Sequence, residues 1–135
     1  MRADLQKKLI DRWPTWFNLG GDTRHTMMPL GFEHGDGWFD LLWQLCESLE
    51  TFVVAAEQET GCPFEVLQVK EKFGGLRFHT NYSNDAISTV IEAAKVESFA
   101  TCDICGQPGK PRDGSWIQTV CDEHGRAHGG EVTEP

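Results

Sequence analysis

The sequence predicts an α+β fold in which helices pack on a small antiparallel sheet, built around a β-hairpin, with a zinc knuckle at the C-terminal end. Three features predict it: a long apolar stripe at helical spacing, an alternating stretch split by paired glycines, and a C-terminal set of metal-type ligands. A chain of 135 residues has the usual length of one domain. We therefore expect residues 1–135 to form a single domain, with residues 101–128 as a zinc-binding subregion.

The first 37 residues contain one short periodic segment and one long aperiodic segment. Leu5, Leu9 and Trp13 recur every four residues, which predicts an amphipathic helix that ends before Pro14. Residues 18–37 combine paired glycines with a proline and have no periodicity, so a long loop is expected. Loops of this length in a compact domain are usually functional or disordered.

The central helix is predicted from apolar residues that recur at helical spacing. Asp36 is the expected N-cap, and Gly61 followed by Pro63 predicts the end of the helix. The members of the stripe are Trp38, Leu41, Leu42, Leu45, Leu49, Phe52, Val53 and Ala56.

Residues 64–82 alternate in polarity and are split by Gly74-Gly75, the composition of a two-residue hairpin turn. A turn at these glycines places Phe73 opposite Leu76, and Lys72 opposite Arg77. One face of the hairpin is then apolar and packs on the core, with Leu67, Val69, Phe73, Leu76, Phe78 and Thr80. The other face is polar, with Gln68, Lys70, Lys72, Arg77 and His79.

A second helix is predicted after a cap at Ser83 or Asn84, with its apolar residues on one side. Those residues are Ile87, Val90, Ile91 and Ala94. The residues after His128 predict a frayed tail.

The C-terminal motif is C-x2-C-x15-C-x2-H, formed by Cys102, Cys105, Cys121 and His124. A two-residue spacer lets both donors of a pair reach one ion, and thiolates with imidazole suit Zn²⁺. Gly106 follows the first pair, as in a zinc knuckle. A site with four protein ligands has no open position for water, so the predicted zinc is structural.

Two alternatives to this ligand set remain open in the sequence. His128 lies four residues after His124 and could replace it as the fourth ligand. The cysteines could instead be free or form a disulfide, although a cytosolic setting disfavours disulfides. Cys46 and Cys62 have no metal-type partner nearby in sequence and are expected to be buried thiols.

The charge pattern singles out the polar face of the hairpin. The chain has a formal charge of −9, yet its middle segment gathers cations into one short stretch. The predicted binding residues are Lys70, Lys72, Arg77 and His79. The protein's own carboxylates could neutralise them, with Glu33, Asp36 and Asp40 as candidates. Alternatively, they form a site for an anion such as a phosphate, a nucleotide or the acidic surface of a partner.

Composition and motifs argue against several functional classes. An acidic surplus repels a nucleic-acid backbone, so nonspecific DNA or RNA binding is disfavoured. The N-terminal segment lacks the pattern of a secretory signal, and no stretch has the length of a membrane span, so we expect a cytoplasmic protein. The sequence contains no G-x-S-x-G, P-loop, H-E-x-x-H or helix-opening G-x-G-x-x-G motif, so catalysis has no support.

Three segments together resemble a family of small, uncharacterised proteins from bacteriophage and prophage genomes. They are "GDGWFDLLWQL", "FEVLQVKEKFGGLRFHT" and "TCDICGQPG…WIQTVCDEH", and the likeness spans residues 35–124. The resemblance implies a phage accessory product that acts in the host bacterial cytoplasm. Such products often bind and block a host protein, including components of antiviral defence.

Two functional hypotheses follow. In the first, a noncatalytic protein binds a host protein through its acidic surface, as a mimic of nucleic-acid charge, or through the loop and the hairpin. In the second, the basic hairpin face binds or hydrolyses a small phosphorylated ligand or nucleotide. A pocket that joins this face to Trp16 or Trp38 would favour the second hypothesis, whereas neutralisation of a flat hairpin by internal carboxylates would favour the first.

Overall fold

The computed structural model describes residues 1–18, 20–21 and 24–128, and it confirms the α+β fold class. In chain order the elements are α1 (Ala3–Arg12), β1 (Phe32–Glu33), α2 (Phe39–Thr60), β2 (Val66–Lys72), β3 (Gly75–Thr80), α3 (Asp85–Ser98), β4 (Lys110–Arg112), β5 (Gln118–Val120) and α4 (Asp122–His128). The predicted tail after His128 lies outside the described residues. Within the described part of the chain, no helix is both long and apolar enough to cross a bilayer.

The main sheet has three strands in the order β1-β2-β3. The hairpin β2-β3 is antiparallel as predicted, but β1 adds to it in parallel, so the sheet is mixed rather than purely antiparallel. A separate two-stranded sheet, β4-β5, belongs to the C-terminal element. Helix α2 packs against α3, and α3 contacts β3.

The predicted hairpin turn is wrong by one residue, and the register of the two strands changes with it. The turn is formed by Phe73 and Gly74, both with positive φ, and Lys72 pairs with Gly75 rather than with Arg77. Phe73 therefore leaves the apolar face and is 66% exposed. Moving a turn by one residue changes each cross-strand partner by two positions, so the basic residues still share one face.

Part of the predicted loop, residues 18–37, forms regular secondary structure and makes hydrogen bonds to the hairpin. Within its described part, the chain forms a 3-10 turn at Met28–Leu30 and then strand β1. The N–H of Met27 and the hydroxyl of Thr26 both donate to the carbonyl of Leu67, at 2.7 and 3.1 Å. Leu67 lies at an irregularity in the β2-β3 register, which brings Val66 and Val69 to the buried face.

Helix α2 follows the predicted stripe, but it begins differently. A 3-10 turn at Asp36–Trp38 precedes it, and no side chain caps its N-terminus. The carboxylate of Asp36 instead accepts a hydrogen bond from the N–H of Arg2 at 2.7 Å. The end is as predicted, because Gly61 adopts a left-handed conformation with φ of 68°. Of the stripe residues, Phe52 remains 40% exposed.

The core lies between α1, α2, α3 and the hairpin, and aromatic rings fill its N-terminal side. Trp13 stacks on Trp16 at 5.9 Å between ring centroids and contacts Trp43 edge-on at 4.9 Å. Cys46 is buried in this core, as predicted. Cys62, in contrast, is exposed, because it follows the end of α2 on the surface.

Helix α3 begins at the predicted cap. Asn84 is extended, and its Oδ1 accepts a hydrogen bond from the N–H of Ile87 at 2.9 Å. We expect Asn84→Ala to lower the free energy of unfolding by about 1 kcal/mol, because an orphan N–H of the first turn loses its acceptor. Urea denaturation would measure this, with Asn84→Ser, which can still cap, as the control. Equal stability of the Ala and parent proteins would contradict it.

Candidate metal centre and basic hairpin face

The structure brings Cys102, Cys105, Cys121 and His124 together into one cluster. Cys102 and Cys105 lie in the turn after α3, while Cys121 follows β5 and His124 lies in α4. The four donor atoms all lie within 4.8 Å of one another. The side chain of the alternative ligand, His128, lies outside the described part of the chain.

The spacing of the donor atoms fits a tetrahedral ion. The Sγ atoms of Cys105 and Cys121 are 3.7 Å apart, and the Nδ1 of His124 lies 3.6 Å from the Sγ of Cys102 and 3.2 Å from that of Cys121. Metal–sulfur bonds of about 2.3 Å in a tetrahedron require sulfur–sulfur separations of about 3.8 Å. These three separations fit a tetrahedral site, and the cluster could therefore hold a metal ion.

The backbone forms a tight turn directly after the first pair of cysteines. Gly106 has φ of 82° and donates its N–H to the carbonyl of Cys102 at 2.9 Å, so the predicted turn after the first pair is present. The thiol of Cys121 has its pKa lowered to about 7, and the largest cause is the hydrogen bond from the backbone N–H of His124. A lower pKa favours the thiolate, which is the form that binds metals.

A buried aspartate joins this metal element, residues 101–128, to the start of α2. The Oδ1 of Asp103 accepts from the N–H of Gly35 at 2.5 Å, and its carbonyl accepts from the N–H of Gly37 at 2.8 Å. The indole N–H of Trp38 donates to the carbonyl of Thr101 at 2.9 Å. Sequence reasoning missed Asp103, although the signal was present in the two glycines of "GDGW", which let the two backbones approach closely.

The four predicted binding residues share one face of the hairpin. Lys70 pairs directly with Arg77, Gln68 pairs with His79, and Lys72 lies next to the turn. No carboxylate lies within ion-pair distance of these cations among residues 1–18, 20–21 and 24–128. We call this surface, with Lys70, Lys72, Arg77 and His79, the basic face.

The carboxylates that were candidates for neutralising the basic face lie elsewhere or make other contacts. Asp36 pairs with Arg2, with 3.5 Å between the Oδ2 and Nε atoms. Glu33 is the neighbour of Lys70 across the sheet, yet its Oε1 accepts from the amide of Gln68 at 3.4 Å. Asp40 lines a cleft of about 440 Å³ beside α1 and the metal element. Internal neutralisation by these three groups therefore does not occur at ion-pair distance.

Burial leaves a hydrogen-bond donor of Arg77 without an acceptor among the described residues, and it changes the pKa of His79. The Nη1 atom of Arg77 is buried and has no hydrogen-bond acceptor in the described structure. An unpaired buried donor of this kind costs about 1–3 kcal/mol. Partial burial and the nearby Lys70, Arg77 and Lys72 charges lower the pKa of His79, which favours the neutral form of its imidazole. The permanent charge of the basic face thus comes from two lysines and one arginine.

Four surface clefts in the described part of the chain are lined neither by the basic face nor by Trp16 or Trp38. Trp16 and Trp38 are buried in the core. The cleft of about 440 Å³ is lined by residues of α1, α2 and the turn that holds Cys105, and by none of the basic face.

A scan of known protein families gives no match, and neither do searches of curated proteins and of solved structures.

Proposed function

We propose that this chain is a zinc-stabilised, noncatalytic binding protein, and that its partner is a protein of the host cell. The observation that carries the proposal is the closed set of four donor atoms, three sulfurs and one nitrogen, within 4.8 Å. Thiolates and an imidazole in a tetrahedron suit zinc better than calcium or magnesium, which take oxygen ligands. Four protein ligands fill the coordination sphere, so the ion holds structure and activates no water.

The binding role rests on the basic face. Cations that oppose one another on a sheet are mutually unfavourable, and no internal carboxylate forms an ion pair with them in the described residues. An external anionic group would offset this repulsion, and a carboxylate or a phosphate could accept hydrogen bonds from the planar guanidinium of Arg77 through two oxygens.

The resemblance of residues 35–124 to phage and prophage proteins supports a partner in the host cell. A phage accessory product acts in the host cytoplasm, where the proteins it meets include components of antiviral defence. We therefore propose a host protein of that kind as the partner. A second candidate is a small phosphorylated ligand or nucleotide, which the grouping of Lys70, Lys72 and Arg77 on one face also favours.

Charge reversal of the basic face tests this function. We expect Lys72→Glu combined with Arg77→Glu to abolish capture of the partner and to leave thermal stability nearly unchanged, since neither cation has an ion pair with a described residue. The measurement is affinity capture from host lysate followed by mass spectrometry of proteins and of bound nucleotides. Lys8→Glu, at an exposed position on α1, is the matched control.

Each result of that experiment has a defined meaning. Loss of a captured protein supports the host-protein proposal, and loss of a captured nucleotide supports the second candidate. A large fall in stability of the double variant would mean that the cations serve the fold, and a captured partner that both variants retain would place recognition on another surface.

A further inference from the structure

We propose that the metal element and the tip of the hairpin form one recognition surface, and that this surface binds an acidic protein segment carrying an aromatic or large aliphatic side chain. The inference rests on the proposed function, because it assumes that the basic face binds a partner. This surface extends beyond the basic face to two aromatic residues, Phe73 and Trp116, and its partner is a protein segment of defined chemistry.

The hairpin tip packs directly against β5 of the metal element. The hydroxyl of Thr119 donates a buried hydrogen bond to the carbonyl of Gly74 at 2.6 Å. A Cβ atom added to Gly74 would lie 3.3 Å from the Cγ2 of Ile117. Binding of the proposed ion would order the metal element, and it would thereby also position the chain beside the hairpin tip.

Two exposed aromatic residues flank this contact. Phe73 precedes Gly74 and is 66% exposed, and Trp116 precedes Ile117 and is 54% exposed. The contact between Gly74 and Ile117 limits the distance between the Cα atoms of Phe73 and Trp116 to about 15 Å. Both rings thus belong to the same end of the molecule. Exposed aromatic rings near arginine are the composition of energetically important sites in protein interfaces.

The basic face starts at the same end. The Nζ atom of Lys72 lies 5.7 Å from the centroid of the Phe73 ring. Lys70, which pairs with Arg77, lies two residues before Lys72 in β2. The two lysines are therefore separated by about 7 Å along the strand, in the direction away from the turn. An extended acidic segment repeats its side chains on one face at the same interval. Successive carboxylates can then meet Lys72 and Arg77, while an apolar side chain contacts Phe73.

The overall charge favours a protein segment over a nucleic acid. A nucleic-acid strand carries a phosphate at every nucleotide, so beyond the basic face it would meet the surface of a chain with a net charge of −9. A protein segment can confine its carboxylates to the few positions that oppose the cations. The guanidinium of an arginine such as Arg77 can donate two parallel hydrogen bonds to one carboxylate, a geometry that a lysine cannot provide.

A bacterial surface-display library of random 12-residue peptides, sorted against the labelled, zinc-loaded full chain, tests the proposal. We expect the enriched peptides to carry several Asp or Glu residues and at least one Phe, Trp, Tyr or Leu. The best peptide is then measured by fluorescence anisotropy. We expect Phe73→Ala and Trp116→Ala each to weaken its binding about tenfold, as loss of an aromatic anchor does, and Lys8→Gln to leave it unchanged.

Three outcomes would overturn the proposal. They are enrichment of peptides without acidic residues, equal binding of the best peptide to the parent and to both aromatic variants, and tighter binding of a dT12 oligonucleotide than of the peptide. Zinc content and thermal unfolding establish that each variant is folded, and Phe73→Ala, at an exposed turn, provides the test if Trp116→Ala is unstable. Both variants keep the cations and the metal ligands, so their failure is distinguishable from failure of the charge-reversal experiment.

Discussion

Replacing Cys102 with serine is expected to abolish binding of the proposed zinc ion and to lower the free energy of unfolding by at least about 3 kcal/mol. Cys102 is fully buried, and its Sγ lies 3.6 Å from the Nδ1 of His124, so a hydroxyl in its place leaves the cluster one thiolate short. The metal element has only a small core of its own, formed by Cys102, Val120 and Cys121. Without the ion, little apolar burial remains to hold residues 101–128 in place.

Elemental analysis and thermal unfolding of the same samples measure this effect. Cys62→Ser is the matched control, because Cys62 is exposed and lies outside the cluster. The parent protein should contain one equivalent of zinc, and the Cys102→Ser protein should contain none. A well-folded parent without metal would contradict the zinc proposal. Zinc retained by His124→Ala but lost from His128→Ala would assign His128 as the fourth ligand.

Gly37→Ala is expected to lower the free energy of unfolding by about 3 kcal/mol. A Cβ atom at this position would lie 2.1 Å from the carbonyl oxygen of Cys102 and 2.5 Å from the N atom of Gly106. Both are backbone atoms of the metal-binding turn, so neither can move aside without displacing the ligands. We therefore expect the variant to lose stability and to bind zinc more weakly.

Denaturant unfolding and competition for zinc with a chelator measure these two effects together. Gly20→Ala is the control, since among the described residues the nearest atom to a Cβ at Gly20 would be the Oδ1 of Asn18 at 3.9 Å. Unchanged stability and zinc affinity in Gly37→Ala would mean that the start of α2 and the metal element are not held together as the contacts of Asp103 indicate.

Features with a local origin were predictable from the sequence alone. The stripe of α2, the left-handed Gly61, the Asn84 cap and the four clustered ligands each depend on residues a few positions apart or on one repeated pattern. The chemistry of thiolates and imidazole at two-residue spacing is likewise local. The grouping of cations on one hairpin face followed from the alternation of a strand, which survives a shift of the turn.

The turn itself was decided by tertiary packing. Paired glycines favour a turn at Gly74-Gly75, but a Cβ atom on Gly75 would lie 2.3 Å from the ring of Phe99 in the chain after α3. Gly75 is therefore required for packing and not for the turn. Glu71 accepts the N–H of Gly74 at 3.1 Å, and Phe73 takes the positive φ. The exposure of Phe73 follows from this long-range contact.

The junction between the metal element and the rest of the chain was also decided only in three dimensions. Asp36 has the sequence context of a helix cap, yet its carboxylate binds Arg2, which is 34 positions away. The glycines on either side of Asp36 contact Asp103 and Cys102, more than 60 positions away. Sequence patterns report short-range preferences of the backbone, whereas these contacts arise when distant segments are packed together and their buried N–H and carbonyl groups must find partners.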